Sequence, residues 1–203
     1  MDLNLNGKKG IVTGNSRGIG KAITECLRKE GVSVYDISRT SGYDLMTSDG
    51  FYKTSVHVKN VDILINNLGG IGSNEKEWEL ALEKNYNIMV KLTREFLSTK
   101  RNWGRVITIS SIYGKEKGHN PGFAAAKAAQ IAYMKSLAGR YEGTTFNIVC
   151  PGHIDVGKPF PDNPKVVGKP EDVAGIVTFL CSPLAHHING AVITVDGGVS
   201  ASF

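Results

Sequence analysis

The sequence predicts an α/β domain in three layers, α/β/α, with a doubly wound parallel sheet between helices, and one such domain over residues 1–203. Three observations predict it. Strand-like and helix-like segments alternate along the whole chain. The strand segments are short and continuously apolar, as expected where both faces of a sheet are covered. The first strand runs through a glycine-rich turn into a helix and then a second strand, a β-α-β unit.

The elements follow in order. Lys8–Thr13 reads as a strand, Ser16–Glu30 as a helix, and Val32–Ile37 as a second strand rich in β-branched residues. Within the helix Ile19, Ala22, Ile23, Cys26 and Leu27 recur at helical spacing, and Gly31 ends it. Val61–Ile65 and Arg105–Ile109 read as buried strands. Between them Glu75–Ser98 reads as a helix, with Trp78, Leu82, Tyr86, Met89, Val90, Thr93 and Leu97 on its inner side. Phe123–Leu137 is an Ala-rich helix, Thr145–Cys150 a strand, Pro170–Cys181 a helix with a proline and acids in its first turn, and Ala191–Val195 the last strand. Arg39–Asn60 holds few periodic apolar residues and reads as short loops with a broken helix. Val156–Lys169 reads as a proline-rich loop of the kind that often forms a lid.

Composition narrows the function classes. The chain is 41% hydrophobic and 21% charged, with a net charge of +5. Its 24 basic residues are scattered, so no nucleic-acid partner is expected, and the mild positive charge suits an anionic small ligand. Cys26, Cys150 and Cys181 have no paired spacing and read as buried small hydrophobes. No stretch is long and apolar enough for a membrane span, and Met1-Asp2-Leu3-Asn4 opens on a polar segment. The expected location is the cytoplasm. His186-His187 reads as an exposed helix end, with nothing nearby to complete a metal site.

The turn Thr13-Gly14-Asn15-Ser16-Arg17-Gly18-Ile19-Gly20 carries the first chemistry. Glycines let the backbone approach a pyrophosphate, and the helix behind them offers unpaired N–H groups and its positive dipole end. A strand before the turn and a helix after it supply the context of a Rossmann-type dinucleotide site. Gly14, Ser16, Arg17, Gly18, Ile19 and Gly20 are the expected contacts.

The spacing of Gly14, Gly18 and Gly20 resembles the short-chain dehydrogenase/reductase family. So do Asn66-Asn67-Leu68-Gly69-Gly70, which looks like that family's Asn-Asn-Ala-Gly after its fourth strand, Asn85 in a helix, Ile109-Ser110-Ser111, Lys127, Pro151-Gly152 and Val195-Asp196-Gly197-Gly198. The resemblance implies cofactor contacts from Asn67, Gly69, Lys127, Pro151, Gly152 and Ile154, with Asp44-Leu45 against the adenine. It implies that Ser111 bonds the substrate oxygen, that Lys127 holds the ribose and lowers a tyrosine's pKa, and that Asn85 holds a relay water. Ser38 falls where an acid would bind the ribose 2′-hydroxyl of NAD, and Arg39 follows it. Arg39 and Arg17, without the acid, favour NADP(H) over NAD(H), while Asp36 points elsewhere.

The chain departs from the family at the proton donor. Phe123 stands where the tyrosine of a Tyr-x-x-x-Lys motif is expected, and phenylalanine has no proton to give. Tyr113, a water held by Lys127, or a group on the substrate are the remaining donors, and His119 and His153 read as loop residues. Val156 replaces a threonine that binds the carboxamide, with Asp155 or backbone groups as substitutes. Arg39–Asp44 is too short for the helix usual there, and the loop after Val156 is also short, which implies an open pocket. The expected function is an NADP(H)-dependent oxidoreductase acting on a small carbonyl or alcohol. The alternative is a weakly catalytic or inactive dinucleotide-binding protein with a regulatory or scaffolding role. A dehydration or isomerisation in the same pocket, or an engineered Tyr→Phe change, also accommodates Phe123. The helix pair Glu75–Ser98 and Phe123–Leu137, with a second surface near Val173–Val195, resembles the family's interfaces, which implies a homodimer or homotetramer.

Overall fold

Six strands make one sheet in the computed structural model, which describes residues 2–70, 78–118, 120–157, 160 and 164–201. They are β1 (Lys9–Thr13), β2 (Ser33–Ile37), β3 (Ile63–Asn66), β4 (Gly104–Ile109), β5 (Thr144–Pro151) and β6 (Val192–Val195). Every pair is parallel, in the order β2-β1-β3-β4-β5-β6. The order reverses between β1 and β3, and a crevice opens at the carboxyl ends of strands on either side of such a point.

Strand residues alternate between two cores. Val12, Ile63, Ile65, Ile107 and Val149 pack with α1 (Gly18–Lys29) and α6 (Pro170–Cys181). Ile11, Leu64, Val106, Phe146 and Ile148 pack with α2 (Ser48–Val58), α4 (Ile88–Leu97) and α5 (Pro121–Leu137). The expected three layers are present.

Some expectations shift. α1 begins at Gly18 and not Ser16, because Arg17 is extended (φ −158°, ψ 171°) and caps the helix from outside it. Arg39–Asn60 is more regular than its sequence suggested: a 3₁₀ turn at Arg39–Ser41, then the unbroken α2, capped by Thr47 Oγ1 on Gly50 N–H at 3.1 Å. Only this one helix separates β2 from β3, so Asn66-Asn67 follows the third strand of this sheet and not a fourth. The expected helix from Glu75 is described from Trp78 onward: α3 (Trp78–Leu82), a π-helical turn at Glu83–Asn87, then α4. The π turn inserts an extra residue and rotates the inner face. Ala81, Asn85, Met89, Leu92 and Phe96 are buried, whereas Trp78 is exposed and Tyr86, Val90 and Leu97 are half-buried. Cys150 and Cys181 are buried as expected, and Cys26 is half-buried against the first core.

β2 is one of the sheet's two outer strands among the described residues, with β6 at the other edge. Ser33 and Ile37 bond β1 through Ser33 N–H to Lys8 O and Gly14 N–H to Ile37 O, so Val34 and Asp36 face away. Their carbonyls are not bare. Arg28 donates to Val34 O at 3.1 Å and Ser41 Oγ donates to Asp36 O at 2.7 Å.

Candidate active site

The crevice begins at the glycine turn. Gly14 (φ 69°) and Gly18 (φ 54°) occupy the left-handed region, which a side chain would strain. A Cβ on Gly20 would lie 2.5 Å from both Gly14 O and Asn67 Nδ2, so only glycine lets the helix sit this close to the strands. Asn67 pins the turn from β3, its Nδ2 donating to Thr13 O at 2.8 Å and Gly14 O at 3.3 Å. Asn67 N–H and Leu68 N–H both donate to Thr13 Oγ1 at 2.9 Å. Among the described residues no side chain caps the start of α1, and its first turn holds no acid. Its first N–H groups are left for an anion, which fits a dinucleotide pyrophosphate. Ser16 and Arg17 are exposed beside it, and Ile19 is half-buried against the core.

At the far end of β2, Ser38 is buried with its Oγ 2.9 Å from both Thr40 Oγ1 and Ser41 Oγ. Arg39 is exposed on the 3₁₀ turn. Asp36 is engaged elsewhere, accepting from Arg28 at 2.9 Å and from Asn15 Nδ2 at 3.2 Å. The Asp44 carboxylate accepts from Met46 N–H at 3.0 Å, and Leu45 is a buried member of the second core.

The catalytic candidates converge on the other side. Asn85 sits in the π turn, fully buried. Its Oδ1 accepts from Gly70 N–H at 3.0 Å, and its Nδ2 donates to Gly70 O at 3.1 Å and Ala81 O at 2.9 Å. Gln130 of α5 donates to the Asn85 carbonyl. A Cβ on Gly69 would lie 2.7 Å from Asn85 Oδ1 and 3.3 Å from Lys127 Nζ. Gly69 therefore leaves a narrow gap bordered by both side chains.

Lys127 is buried in α5 and its Nζ donates to Ile109 O at 2.8 Å. Burial pushes its ammonium down to about 7, against an ordinary 10.5. Ser110 Oγ donates to Lys127 O at 2.9 Å, which ties the end of β4 to α5. Ser111 is half-buried, with its Oγ accepting from Tyr113 N–H at 3.2 Å. Phe123 lies one turn before Lys127, its ring centre 5.4 Å from Nζ. Its N–H is capped by Asn120 Oδ1 at 2.8 Å.

At the end of β5 Pro151 is buried, and past it Gly152 is half-buried and Ile154 buried. A Cβ on Gly152 would lie 2.7 Å from Asp196 Cβ, so the Asp196-Gly197-Gly198 turn seats against it. Val156 comes close to the glycine turn: a Cβ on Gly18 would be 3.0 Å from Val156 Cγ1. The Asp155 carboxylate accepts from Gly157 N–H at 2.9 Å.

Two side chains that the sequence did not join stand together. Tyr113 Oη lies 3.1 Å from His153 Nε2, forty residues apart in the chain. No local spacing signals such a contact. His119 lies outside the described residues. His186 and His187 are exposed past the 3₁₀ turn Pro183–Ala185.

A family model described as enoyl-(acyl carrier protein) reductase matches residues 47–200. The chain is 32% identical to the 3-oxoacyl-(acyl-carrier-protein) reductase of Vibrio cholerae over 242 aligned positions, covering 97% of this chain and 99% of that protein. The chain belongs to the short-chain dehydrogenase/reductase family of oxidoreductases. As those 242 positions exceed the chain's 203 residues, its relative in the family carries residues without a counterpart here. Two solved structures share the fold of this short-chain dehydrogenase/reductase over 98% of the chain, each at 26% identity. A dehydrogenase/reductase from Sinorhizobium meliloti 1021 has a TM-score of 0.86 over 98% of its own chain. A blue fluorescent protein from a metagenomic library, in complex with NADPH, has a TM-score of 0.85 over all of its own.

Proposed function

We propose that the chain is an NADPH-dependent reductase of small carbonyl compounds, oxidising the corresponding alcohols in reverse. The observation that carries this reading is the convergence of Asn85 Oδ1 and Lys127 Nζ on the gap left by Gly69, beside an anion-ready glycine turn. The naming of the Vibrio cholerae relative as a 3-oxoacyl reductase and the NADPH in the solved structure support it.

In this reading the turn from Gly14 to Gly20 binds the pyrophosphate through backbone N–H groups. Arg39 and Arg17 take the 2′-phosphate, since Ser38 brings no competing acid and Asp36 is held by Arg28. Asp44 and Leu45 border the adenine. Asn67, Gly69 and Lys127 hold the ribose next to the nicotinamide, and Pro151, Gly152 and Ile154 present backbone groups to the carboxamide. A bound nicotinamide supplies or accepts the hydride. Ser111 donates to the substrate oxygen, and Asn85 holds a water behind Lys127. The assembly in this reading is a homodimer or homotetramer built on the outer faces of α4 and α5, and the site of action is the cytoplasm.

Phe123 favours a second reading, a dinucleotide-binding protein with little catalysis. NADPH oxidation across a panel of ketones, aldehydes and 3-oxoacyl thioesters separates the two. The reductase reading expects substrate-dependent turnover at ordinary enzymatic rates. NADPH binding with no turnover of any carbonyl, in both the native chain and Phe123→Tyr, overturns it.

A further inference from the structure

We infer that Tyr113 and His153 form the acid–base pair that delivers a proton to the substrate oxygen, in place of the hydroxyl that Phe123 lacks. The inference rests on the reductase reading above and names the residue that completes it.

Position is the first argument. Tyr113 lies two residues past Ser111, and its N–H bonds Ser111 Oγ. The 3₁₀ turn Ile112–Gly114 that carries it lies on the backbone of α5 at Lys127: a Cβ on Gly114 would be 2.8 Å from the Lys127 carbonyl carbon. A Cβ on Gly118 would meet Tyr113 Cβ at 3.0 Å and Ala124 Cβ at 3.4 Å. Tyr113 is thus set beside the turn of α5 that holds both Phe123 and Lys127. His153 comes from the segment directly after Pro151-Gly152, at the end of β5.

The chemistry of the contact is the second. A phenol and an imidazole 3.1 Å apart can pass a proton either way. Their rings meet edge to face at 82°, and Phe160 packs edge-on against His153 with ring centres 5.2 Å apart. Both residues are half-buried, and the second imidazole nitrogen of His153, Nδ1, is shielded from solvent. Lys127 is less suited to the task, because its Nζ is buried, bonded to Ile109 O and lies beside the Phe123 ring.

The step balances. The carbonyl carbon takes the hydride and the π pair moves to oxygen. The Tyr113 Oη–H bond breaks and its proton joins that oxygen, giving the alcohol. Tyr113 oxygen recovers a proton from Nε2 of protonated His153, and a proton from solvent restores His153 when the product leaves. The cofactor is oxidised, the carbonyl is reduced, and one solvent proton is consumed.

The test compares the native chain with Tyr113→Phe, His153→Gln and the double variant Tyr113→Phe/Phe123→Tyr. Tyr113→Phe is expected to lower kcat by roughly 100-fold or more, and His153→Gln by about 10-fold, in line with the worth of a positioned general acid. NADPH affinity, read by cofactor fluorescence, should stay within about 2-fold, since the missing atom lies on the substrate side. The double variant should regain at least about 10-fold over Tyr113→Phe, its hydroxyl now coming from α5. The ¹⁵N resonance of His153 Nε2 should move in Tyr113→Phe without any substrate, because the hydrogen bond is lost. A kcat for Tyr113→Phe within about 3-fold of native, or an unmoved Nε2 resonance, overturns the pair and leaves the reductase reading standing. A native chain that binds NADPH and reduces nothing overturns both. If Tyr113→Phe fails to bind NADPH, His153→Gln decides: a kcat within about 3-fold of native overturns the pair.

Discussion

The Nζ of Lys127 and the ring of Phe123 face each other across one turn of α5, 5.4 Å apart. Phenylalanine in this place offers the ammonium a ring face and no hydroxyl. With Phe123 at its side and its Nζ bonded to Ile109 O, Lys127 is buried. Burial lowers its pKa to about 7.

That lowering has a pH signature. Above the unfolded pKa of about 10.5 both states are neutral and Lys127 costs nothing. As pH falls toward about 7 the unfolded chain takes up a proton that the folded chain refuses. Stability is therefore lost through that window at up to about 1.4 kcal/mol per pH unit, and the loss levels off below it. Denaturant unfolding of the cofactor-free protein between pH 6 and 10 should show this slope, and Lys127→Met should abolish it. The same variant should bind NADPH at least about 10-fold more weakly if Lys127 holds the ribose.

Gly20→Ala tests how tightly the glycine turn is closed. The added methyl meets Gly14 O and Asn67 Nδ2 at 2.5 Å, and neither can move without breaking the Asn67 bonds to Thr13 and Gly14. A loss of about 2 kcal/mol or more in unfolding free energy is expected, with NADPH binding abolished. Gly42→Ala is the contrast. Its φ of 83° is strained for alanine, but no described residue stands within 4 Å, so the expected loss is nearer 1 kcal/mol and binding persists.

Arg39→Ala should raise the dissociation constant of NADPH by roughly 10- to 100-fold and leave that of NADH within about 2-fold, since the loss is one charge-assisted contact to the 2′-phosphate. Arg17→Ala should act in the same direction. Titration of both nucleotides by fluorescence measures the split. Equal losses for NADPH and NADH would place these arginines away from the 2′-phosphate.

Arg28→Ala combined with Ser41→Ala removes the donors to Val34 O and Asp36 O on the outer strand. An uncovered edge invites pairing with another chain. Light scattering on warming should show concentration-dependent aggregation in the double variant at temperatures where the native chain stays clear.

The sheet and the glycine turn were legible because their signals are local: apolar runs of β-branched residues, and glycines between a strand and a helix. α2 was not. Three of its four buried residues are Gly50, Thr54 and Ser55, and the fourth is Val58. Thr54 satisfies its hydroxyl on Gly50 O at 2.8 Å, so this helix packs mainly through small residues and shows no hydrophobic period. The inner face of α3–α4 was misplaced for a different reason. A π turn adds a residue that no propensity announces, and it is this turn that brings Asn85 inward. Ser111 and Lys127 could be named from motifs, yet the Tyr113–His153 contact depends on two segments meeting only in the folded chain.

Arg28 holds the outer strand closed with one bond and occupies the Asp36 carboxylate with another. One guanidinium thus ties the edge of the sheet to a carboxylate that also accepts from Asn15 in the glycine turn. Replacing Arg28 would release the Asp36 carboxylate and bare Val34 O in the same stroke. The compensating change would have to come first, from a new donor to Val34 O.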